Sequence, residues 1–365
     1  MPEFSERDCL YMSQALRVAL NGVYTASPNP CVGCIIVAEN KVIGEGWHAA
    51  AGKAHAEINA LKMAGDKAKG ASAYVTLEPC SHEGRTGPCS EAFIKAGITS
   101  VITAMQDPFD EVSGKGIEEM RAAGIKVKVG LFEEEARKIN RGYLSRIERN
   151  RPFVRLKVAA SMDGATAMKS GESEWITAIE ARRDVQKLRA SSDAILTGVG
   201  TILDDNPLMN LRDTSYTDKQ PLRVILDSYL RTPEDAKIFR SEGSTTIFCL
   251  EDKNRSKYND KKVSIIKVAE KNKKVDLFAV LNSLANKGIN NLLVEAGSNI
   301  SGSFLDENLI DELVIYQSPH IMGSEIRTMF NTPKWKKLGD RQFLDIHDTR
   351  VVGKDIRITA CPIIK

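Results

Sequence analysis

The chain has 365 residues, 42% apolar and 27% charged, and its 51 Lys and Arg nearly balance its 48 Asp and Glu, leaving a net charge of +3. At roughly 100–200 residues per domain, this length predicts two domains. The balanced charge argues against a basic nucleic-acid-binding arm, a polybasic membrane patch and an acidic disordered tail. The opening segment lacks the features of a secretory signal, no stretch approaches the length of a membrane span, and the seven Cys are unevenly placed, so we expect a cytoplasmic protein.

Strand and helix signals alternate along the first third of the chain. Apolar runs and helical spacings follow one another with Gly and Pro at their ends. This order predicts a sheet with helices packed on its faces. The predicted elements are, in order, an amphipathic helix at 1–20, a buried strand at 31–40, its hairpin partner at 41–48, a helix at 55–65, strand-like runs at 71–80 and 98–108 flanking a helix at 90–97, and a further helix and strand at 116–124 and 125–132.

The pattern changes near residue 145. The segment YLSRIERNRP is polar and basic and ends at Pro152, so we place the domain boundary there and expect domains at 1–147 and 148–365. The charge-dense stretch 250–274 is expected to be a solvated loop and an edge strand. The elements predicted beyond the boundary are a strand and turn at 153–164, a helix at 181–190, and strands at 194–200, 221–227, 245–250, 290–297 and 311–319.

The strongest chemical pattern is His55-Ala56-Glu57, followed by Pro79-Cys80 and then Cys89. Zinc prefers imidazole and thiolate ligands in a tetrahedral arrangement, and one His with two Cys leaves the fourth position for water. Glu57, near a helix N-terminus, can transfer a proton to a leaving amine without binding the metal. The pattern is similar to the signature of zinc deaminases, although eight residues separate the two Cys here, where the signature has two.

Other interpretations of the Cys and His residues stay open. His82 lies in the eight-residue insert and would close a structural zinc site as a fourth ligand, and the three residues could also be unrelated polar groups. Cys31 and Cys34 form a C-x-x-C, a spacing found in redox pairs and zinc sites. Their apolar surroundings favour small buried side chains instead.

Two turns in the second half suit phosphate binding. The segment VEAGSNISGSF follows an apolar strand and leads into a helical run, so its small residues would let backbone N–H groups and a helix N-terminus approach a phosphate. A plain strand-to-helix turn is the alternative. The segment GVGTILDDNP offers a similar turn with Thr201 and Asp205 placed to hydrogen-bond a cofactor, but Gly198-Val199-Gly200 is too short for a dinucleotide fingerprint.

Motifs in a specific order cover nearly the whole chain. They are ASPNPCVGCIIV, GEGWHAAAGKAHAEINAL, AYVTLEPCSHEGRTGPC and MQDP in the first half, and LKVAASMDGATA, SGESEWIT, ARRDVQKLRA, AILTGVGTILDDNPLMNLR and LLVEAGSNISGSFL in the second. In this order they resemble the RibD family of bifunctional riboflavin-biosynthesis enzymes. The resemblance implies an α/β protein with an N-terminal cytidine-deaminase-like sheet with helices and a C-terminal dihydrofolate-reductase-like α/β domain. It also implies Zn²⁺-dependent deamination of a phosphorylated pyrimidine and NADPH-dependent reduction of its ribosyl side chain.

The resemblance assigns roles to matched positions. His55, Cys80 and Cys89 match the zinc ligands, and Glu57 matches the proton donor. Positions matching cofactor contacts are Ala159, Trp175, Thr201, Asp205, Ser228, Gly297, Ser298, Asn299, Ile300, Ser301, Gly302 and Ser303. Positions matching substrate contacts are Ser173, Arg189, Met209, Arg212 and Glu295, and weaker candidates in the first half are Asn29, His48, His82 and Arg85. Arg suits a sugar phosphate because its planar guanidinium donates two bonds, although Arg189 also fits a charged helix face and Trp175 a core position.

Two other functions stay open from the residues alone. One is a nucleoside or tRNA-adenosine deaminase fused to an unrelated reductase, against which the lack of surplus positive charge weighs. The other is a structural zinc module joined to a nucleotide-sensing domain. We expect a homo-oligomer with a phosphorylated small-molecule substrate and with no nucleic-acid or membrane partner.

Overall fold

The computed structural model describes residues 4–81, 87–109, 112–259 and 262–363. Contacts between residues divide the chain into two units, 1–150 and 151–365. The segment in which we placed the domain boundary is largely helical, and Tyr143 and Leu144 bury their side chains in the core of the first unit. Among the described residues, no helix has the length and hydropathy needed to cross a membrane.

The first unit is a mixed sheet with helices. Its strands follow the order β2-β1-β3-β4-β5, in which β1 runs antiparallel to both neighbours and β3, β4 and β5 are parallel. The predicted hairpin of the first two strands is therefore confirmed. The elements are α1 Glu6–Ala19, β1 Gly33–Ala38, β2 Lys41–Trp47, α2 Ala56–Ala64, β3 Ser72–Val75, α3 Cys89–Ala96, β4 Ser100–Thr103, α4 Lys115–Ala122, β5 Lys126–Val129, α5 Glu133–Ile139 and α6 Arg141–Arg149.

Small residues set the position of α2 against the sheet. A side chain at Gly46 of β2 would overlap the carbonyl oxygen of Ala56, and the facing Ala60 is fully buried. The absence of a side chain at Gly46 and the small side chain of Ala60 let the helix backbone approach the strand closely. His55 immediately precedes α2, so this packing fixes where its imidazole lies.

The second unit is built on a larger sheet. Its elements are β6 Phe153–Ser161, β7 Ala165–Met168, α7 Ile179–Ala190, β8 Ala194–Gly198, α8 Val199–Asp205, β9 Leu222–Leu226, β10 Thr245–Cys249, β11 Val263–Lys267, β12 Glu270–Lys271, β13 Lys274–Val275, α9 Leu277–Ala285, β14 Asn291–Val294, α10 Ser298–Asp306, β15 Glu312–Ser318, β16 Ile326–Thr328, β17 Leu344–Val352 and β18 Asp355–Pro362.

The strands of this sheet follow the order β11-β10-β9-β8-β14-β6-β15-β18-β17. The first seven strands in this order, from β11 at the edge to β15, are parallel, and β18 is antiparallel to both of its neighbours. Neighbouring residues of a strand face opposite sides of the sheet. Leu196 and Val224 belong to the apolar cluster on one face, and Ile195 and Ile225 belong to the cluster on the other, so both faces are buried. The strand β11 is the edge strand expected in the charge-dense stretch. The carboxyl ends of the parallel strands share one edge, which is where ligands bind in open α/β sheets.

Candidate active sites

Two helix N-termini and one loop bring His55, Cys80 and Cys89 together in the first unit. His55 caps α2, Cys89 is the first residue of α3, and Cys80 follows β3. The Nδ1 atom of His55 lies 3.3 Å from the Cys89 sulfur and 3.5 Å from the Cys80 sulfur, and all three ligand atoms lie within 4.8 Å of one another. In a tetrahedral zinc site with ordinary bond lengths, a nitrogen and a sulfur ligand are about 3.6 Å apart. The cluster therefore fits zinc.

Glu57 lies beside this cluster in the first turn of α2 and is only 3% exposed. Burial, together with the negative charge of Cys80, raises the pKa of the Glu57 carboxyl to about 7. The Cys89 thiol donates to the Cys80 sulfur, which lowers the pKa of Cys80 well below its ordinary value and raises the pKa of Cys89. The carboxyl is thus close to the ligands and shielded from bulk water.

The weaker candidates Asn29 and His48 lie next to the cluster. The His48 ring packs edge-on against the His55 ring, with centroids 5.3 Å apart. Its Nδ1 lies 3.2 Å from the carbonyl oxygen of Ala54, and its Nε2 lies 3.0 Å from the side-chain nitrogen of Asn29. Burial lowers the pKa of His48, so the ring is a neutral acceptor for the Asn29 amide. The other two candidates, His82 and Arg85, lie outside the described residues.

A buried carboxylate that sequence reasoning missed supports Cys80. Glu78 is 3% exposed and accepts hydrogen bonds from the main-chain N–H groups of Asp107, Gly114 and Ile117, at 3.2, 2.9 and 3.3 Å. These bonds tie the loop before α4 to the segment that carries Cys80. The only sequence signal was its position two residues before a Cys.

The prediction that Cys31 and Cys34 are small buried side chains holds for Cys34, which is fully buried on β1, whereas Cys31 is partly exposed.

The second unit brings most of its candidate residues to the carboxyl edge of the parallel strands. Ala159 lies on β6, Ser228 two residues after β9, and Glu295 directly after β14. Thr201 lies in the first turn of α8, so the predicted turn after β8 is a short helix. Gly297 to Ser303 form the cap and first turns of α10, which has no side-chain cap among the described residues. Its first N–H groups are therefore available to a phosphate.

Arg189 and Glu295 form a buried ion pair at this edge. The Nε and Nη2 atoms of Arg189 donate to the two carboxylate oxygens of Glu295 at 2.8 and 3.1 Å, and Nη1 donates to the carbonyl oxygen of Asn210 at 2.8 Å. Burial opposes the ionisation of Glu295, but the charges of Arg189 and Lys157 outweigh it and lower its pKa to about 2. Glu295 is therefore an anion, and all the guanidinium nitrogens of Arg189 are engaged.

The remaining candidates lie in two loops. Ser173 donates to the carboxylate of Asp205 at 2.9 Å, so one substrate candidate and one cofactor candidate are in contact. Trp175 is 70% exposed, which excludes the core interpretation. Met209 is 4% exposed and belongs to an apolar cluster, so its side chain is part of the core. The exposed Arg212 follows Met209 in a loop whose backbone is held by Gln186.

A different known family matches each half of the chain. Residues 5–105 match the family described as the cytidine and deoxycytidylate deaminase zinc-binding region. Residues 152–357 match the family described as the RibD C-terminal domain. The class of protein is therefore a zinc-dependent deaminase joined to a reductase of the NADPH-dependent type, with the α/β folds expected for each half.

Relatives match the chain over its whole length. Riboflavin biosynthesis protein RibD of Haemophilus influenzae is 43% identical over 99% of both chains. RibD of Acinetobacter baumannii has a structure with a TM-score of 0.92 at 40% identity, covering 98% of this chain and 99% of that one. The diaminohydroxyphosphoribosylaminopyrimidine deaminase/5-amino-6-(5-phosphoribosylamino)uracil reductase of Thermotoga maritima has a TM-score of 0.87 at 30% identity, with the same coverage. The chain belongs to the RibD family of bifunctional riboflavin-biosynthesis enzymes.

Proposed function

We propose that the chain deaminates 2,5-diamino-6-(5-phosphoribosylamino)pyrimidin-4-one and then reduces the ribosyl side chain of the aminouracil product to a ribityl phosphate. The observation that carries the first step is the convergence of the His55 nitrogen and the Cys80 and Cys89 sulfurs within 4.8 Å, with Glu57 buried beside them. We assign the deaminase to 1–147 and the reductase to 148–365. The two family matches, 5–105 and 152–357, fall within these ranges.

In the deaminase, His55, Cys80 and Cys89 hold zinc through Nδ1 and two thiolates. Zinc supplies Lewis-acid chemistry that makes water nucleophilic near neutral pH. Glu57 holds the proton released from the attacking water and passes it to the departing ammonia. Its buried place next to the ligands suits this role, because a carboxyl shielded from bulk water exchanges its proton with groups in the site.

In the reductase, the chain mainly binds and orients its two ligands. NADPH supplies the hydride that is delivered to the sugar carbon. Residues at the carboxyl edge of the sheet hold NADPH, with the uncapped N-terminus of α10 suited to its phosphates; they are Ala159, Trp175, Thr201, Asp205, Ser228 and Gly297–Ser303. Residues that bind the substrate are Ser173, Arg189, Met209, Arg212 and Glu295. The Ser173–Asp205 hydrogen bond joins the two sets, which supports placing hydride donor and acceptor side by side.

The expectations about location and partners belong to the same proposal. The nearly balanced charge supports a small-molecule substrate without a nucleic-acid or membrane partner. The uneven placement of the seven Cys supports a cytoplasmic location, and a homo-oligomer follows from the family resemblance. Light scattering of the purified full-length protein tests the oligomer.

A coupled assay of the full-length protein tests both activities. The wild type should release ammonia from the diamino substrate and then oxidise NADPH, and Glu57→Gln should abolish ammonia release while retaining zinc, measured by elemental analysis. Adding the deaminated product should restore NADPH oxidation to Glu57→Gln. The matched control is Glu91→Gln, an exposed carboxylate on α3 that should retain both activities. Normal ammonia release by Glu57→Gln would reject its role, and ammonia release only from nucleosides or tRNA would reject the substrate.

A further inference from the structure

Asn140 lies between α5 and α6, in the region where we placed the domain boundary. It is only 3% exposed. Its main-chain N–H donates to the carbonyl oxygen of Ala136 at 3.2 Å, and its carbonyl oxygen accepts from the N–H of Leu144 at 2.9 Å. The two helices therefore fix the position from which its side chain projects.

The Asn140 side chain binds the main chain of a residue far away in the sequence. Its Oδ1 accepts a hydrogen bond from the N–H of Cys31 at 2.7 Å, and its Nδ2 donates to the carbonyl oxygen of Cys31 at 3.0 Å, across 109 residues. An Asn before a helix often caps it, but this side chain makes no cap to α6, whose residues the structure describes in full. Only an amide offers a donor and an acceptor side by side, so neither an aliphatic side chain nor a carboxylate could make both bonds.

Two side chains of α6 hold neighbouring parts of the deaminase. The Nη2 of Arg146 donates to the carbonyl oxygen of Pro28 at 3.2 Å, and its guanidinium carbon lies 5.6 Å from the centroid of the Tyr143 ring. The Tyr143 hydroxyl donates to the Asp107 carboxylate at 3.0 Å. The loop 27–31 is therefore held at Pro28 as well as at its last residue.

This loop carries Asn29, which the resemblance makes a candidate for substrate contact. The Nδ2 of Asn29 lies 3.0 Å from the Nε2 of His48, whose ring packs against that of the proposed zinc ligand His55. The Oδ1 of Asn29 makes no hydrogen bond with the residues that the structure describes. An amino group on a pyrimidine is a donor that such an oxygen can accept. The direction of this oxygen depends on a loop whose main chain Asn140 fixes two residues further on.

We infer that Asn140 is a positioning residue of the deaminase. Its two hydrogen bonds to Cys31 hold the loop 27–31 so that Asn29 presents its amide oxygen to an amino group of the pyrimidine. The identity of this substrate rests on the proposed function. Because Asn140 acts through the loop, its loss should weaken the binding of the pyrimidine and leave the zinc ligands in place.

Two substitutions remove the bonds to Cys31 in different ways. Asn140→Ala removes both, whereas Asn140→Asp keeps the acceptor for the Cys31 N–H but places an oxygen opposite the Cys31 carbonyl. In ammonia release by the full-length protein, each should raise KM for the diamino substrate by about tenfold to a hundredfold. The kcat should change less than about threefold, with zinc content and NADPH oxidation of the deaminated product as in the wild type. A fall in kcat or zinc content with an unchanged KM would overturn the inference, because it would show only structural damage.

A double substitution shows whether Asn140 acts through Asn29. Residues that act through one shared contact have effects that do not add. In an Asn29→Ala background, Asn140→Ala should therefore raise KM by less than about twofold, and a full second increase would contradict the proposed route. The control is Lys138→Ala, which breaks an exposed ion pair with Glu134 two residues before Asn140 and should change neither KM nor kcat.

Amide hydrogen exchange of the ligand-free protein tests the contact without turnover. The Cys31 N–H should exchange at least about tenfold faster in Asn140→Ala, and close to the wild-type rate in Asn140→Asp, which keeps its acceptor. Unchanged exchange in Asn140→Ala would also refute the inference. Thermal unfolding shows whether each variant folds, and if Asn140→Ala does not, the KM of Asn140→Asp decides. A wild type that does not deaminate the diamino substrate, although Asn140→Ala exchanges faster at Cys31, would reject the proposed function and retain the role of Asn140 in holding this loop.

Discussion

Glu295→Gln tests the buried ion pair between Glu295 and Arg189. The glutamine keeps the size of the side chain but removes the charge that compensates Arg189. Both side chains are nearly buried, with 9% of Arg189 and 11% of Glu295 exposed, and their closest atoms are 2.8 Å apart. The variant therefore leaves a buried guanidinium without its anion, and we expect the second unit to lose stability.

The pKa of Glu295 gives the size of this loss. The carboxyl has an ordinary pKa of 4.5 and a folded pKa of about 2. That difference corresponds to about 3 kcal/mol of stability at pH 7, and removing one partner of a buried pair typically costs about 3–5 kcal/mol. Because the folded pKa is the lower one, the contribution is present above the unfolded pKa and disappears as the pH falls from about 4.5 towards 2.

Urea unfolding of the full-length wild type and variant measures the effect. The transition of the second unit is the one that NADPH shifts, since a ligand stabilises the unit that binds it. The matched control is Glu325→Gln, which breaks an exposed pair with Lys169 whose side chains are 69% and 72% exposed and should cost less than about 1 kcal/mol. The reasoning fails if the two variants lose equal stability at pH 7, or if the deficit of Glu295→Gln does not narrow in acid.

Two further substitutions test how each site is supported. Gly302→Ala would place a methyl group into the carbonyl oxygen of Asn331, so the Kd for NADPH in a fluorescence titration should rise at least fivefold, whereas Gly339→Ala has open space and should leave it unchanged. Glu78→Gln replaces one acceptor of three main-chain N–H groups with a donor, so a chelator should remove zinc at about tenfold lower concentration. Zinc retention equal to that of the wild type would show that the loop before α4 does not support Cys80.

Short-range sequence patterns predicted the first hairpin and the helix that follows His55. The apolar run Gly33–Ala38 forms a hairpin with the following residues because a two-residue turn, Glu39 and Asn40 with positive φ, lets the strands pair at once. The helix after His55 was predicted from its apolar spacing, and its start placed Glu57 beside the metal ligands. The longer spacing between Cys80 and Cys89 does not prevent their approach, because the packing of α3 rather than the residue count places Cys89.

Other elements were missed because their signals are weak or were interpreted differently. Residues Arg141–Arg149 are polar and basic enough to suggest a boundary, yet they form a helix with one buried face that includes Tyr143 and Leu144. The hairpin Leu344–Val352 and Asp355–Pro362 has no prediction at all. Its first strand lies at the edge of the sheet with most side chains exposed, so the alternation that marks a half-buried strand is absent.

The partners of the arginines could not be predicted from the sequence. A motif marks which positions carry a positive charge, but the partner of Arg189 lies 106 residues away in the chain. A cation already neutralised by a carboxylate attracts a phosphate far less than one with no counter-ion. The fold therefore determines how far the charge of Arg189 is neutralised, through a contact with Glu295 that its own motif does not reveal.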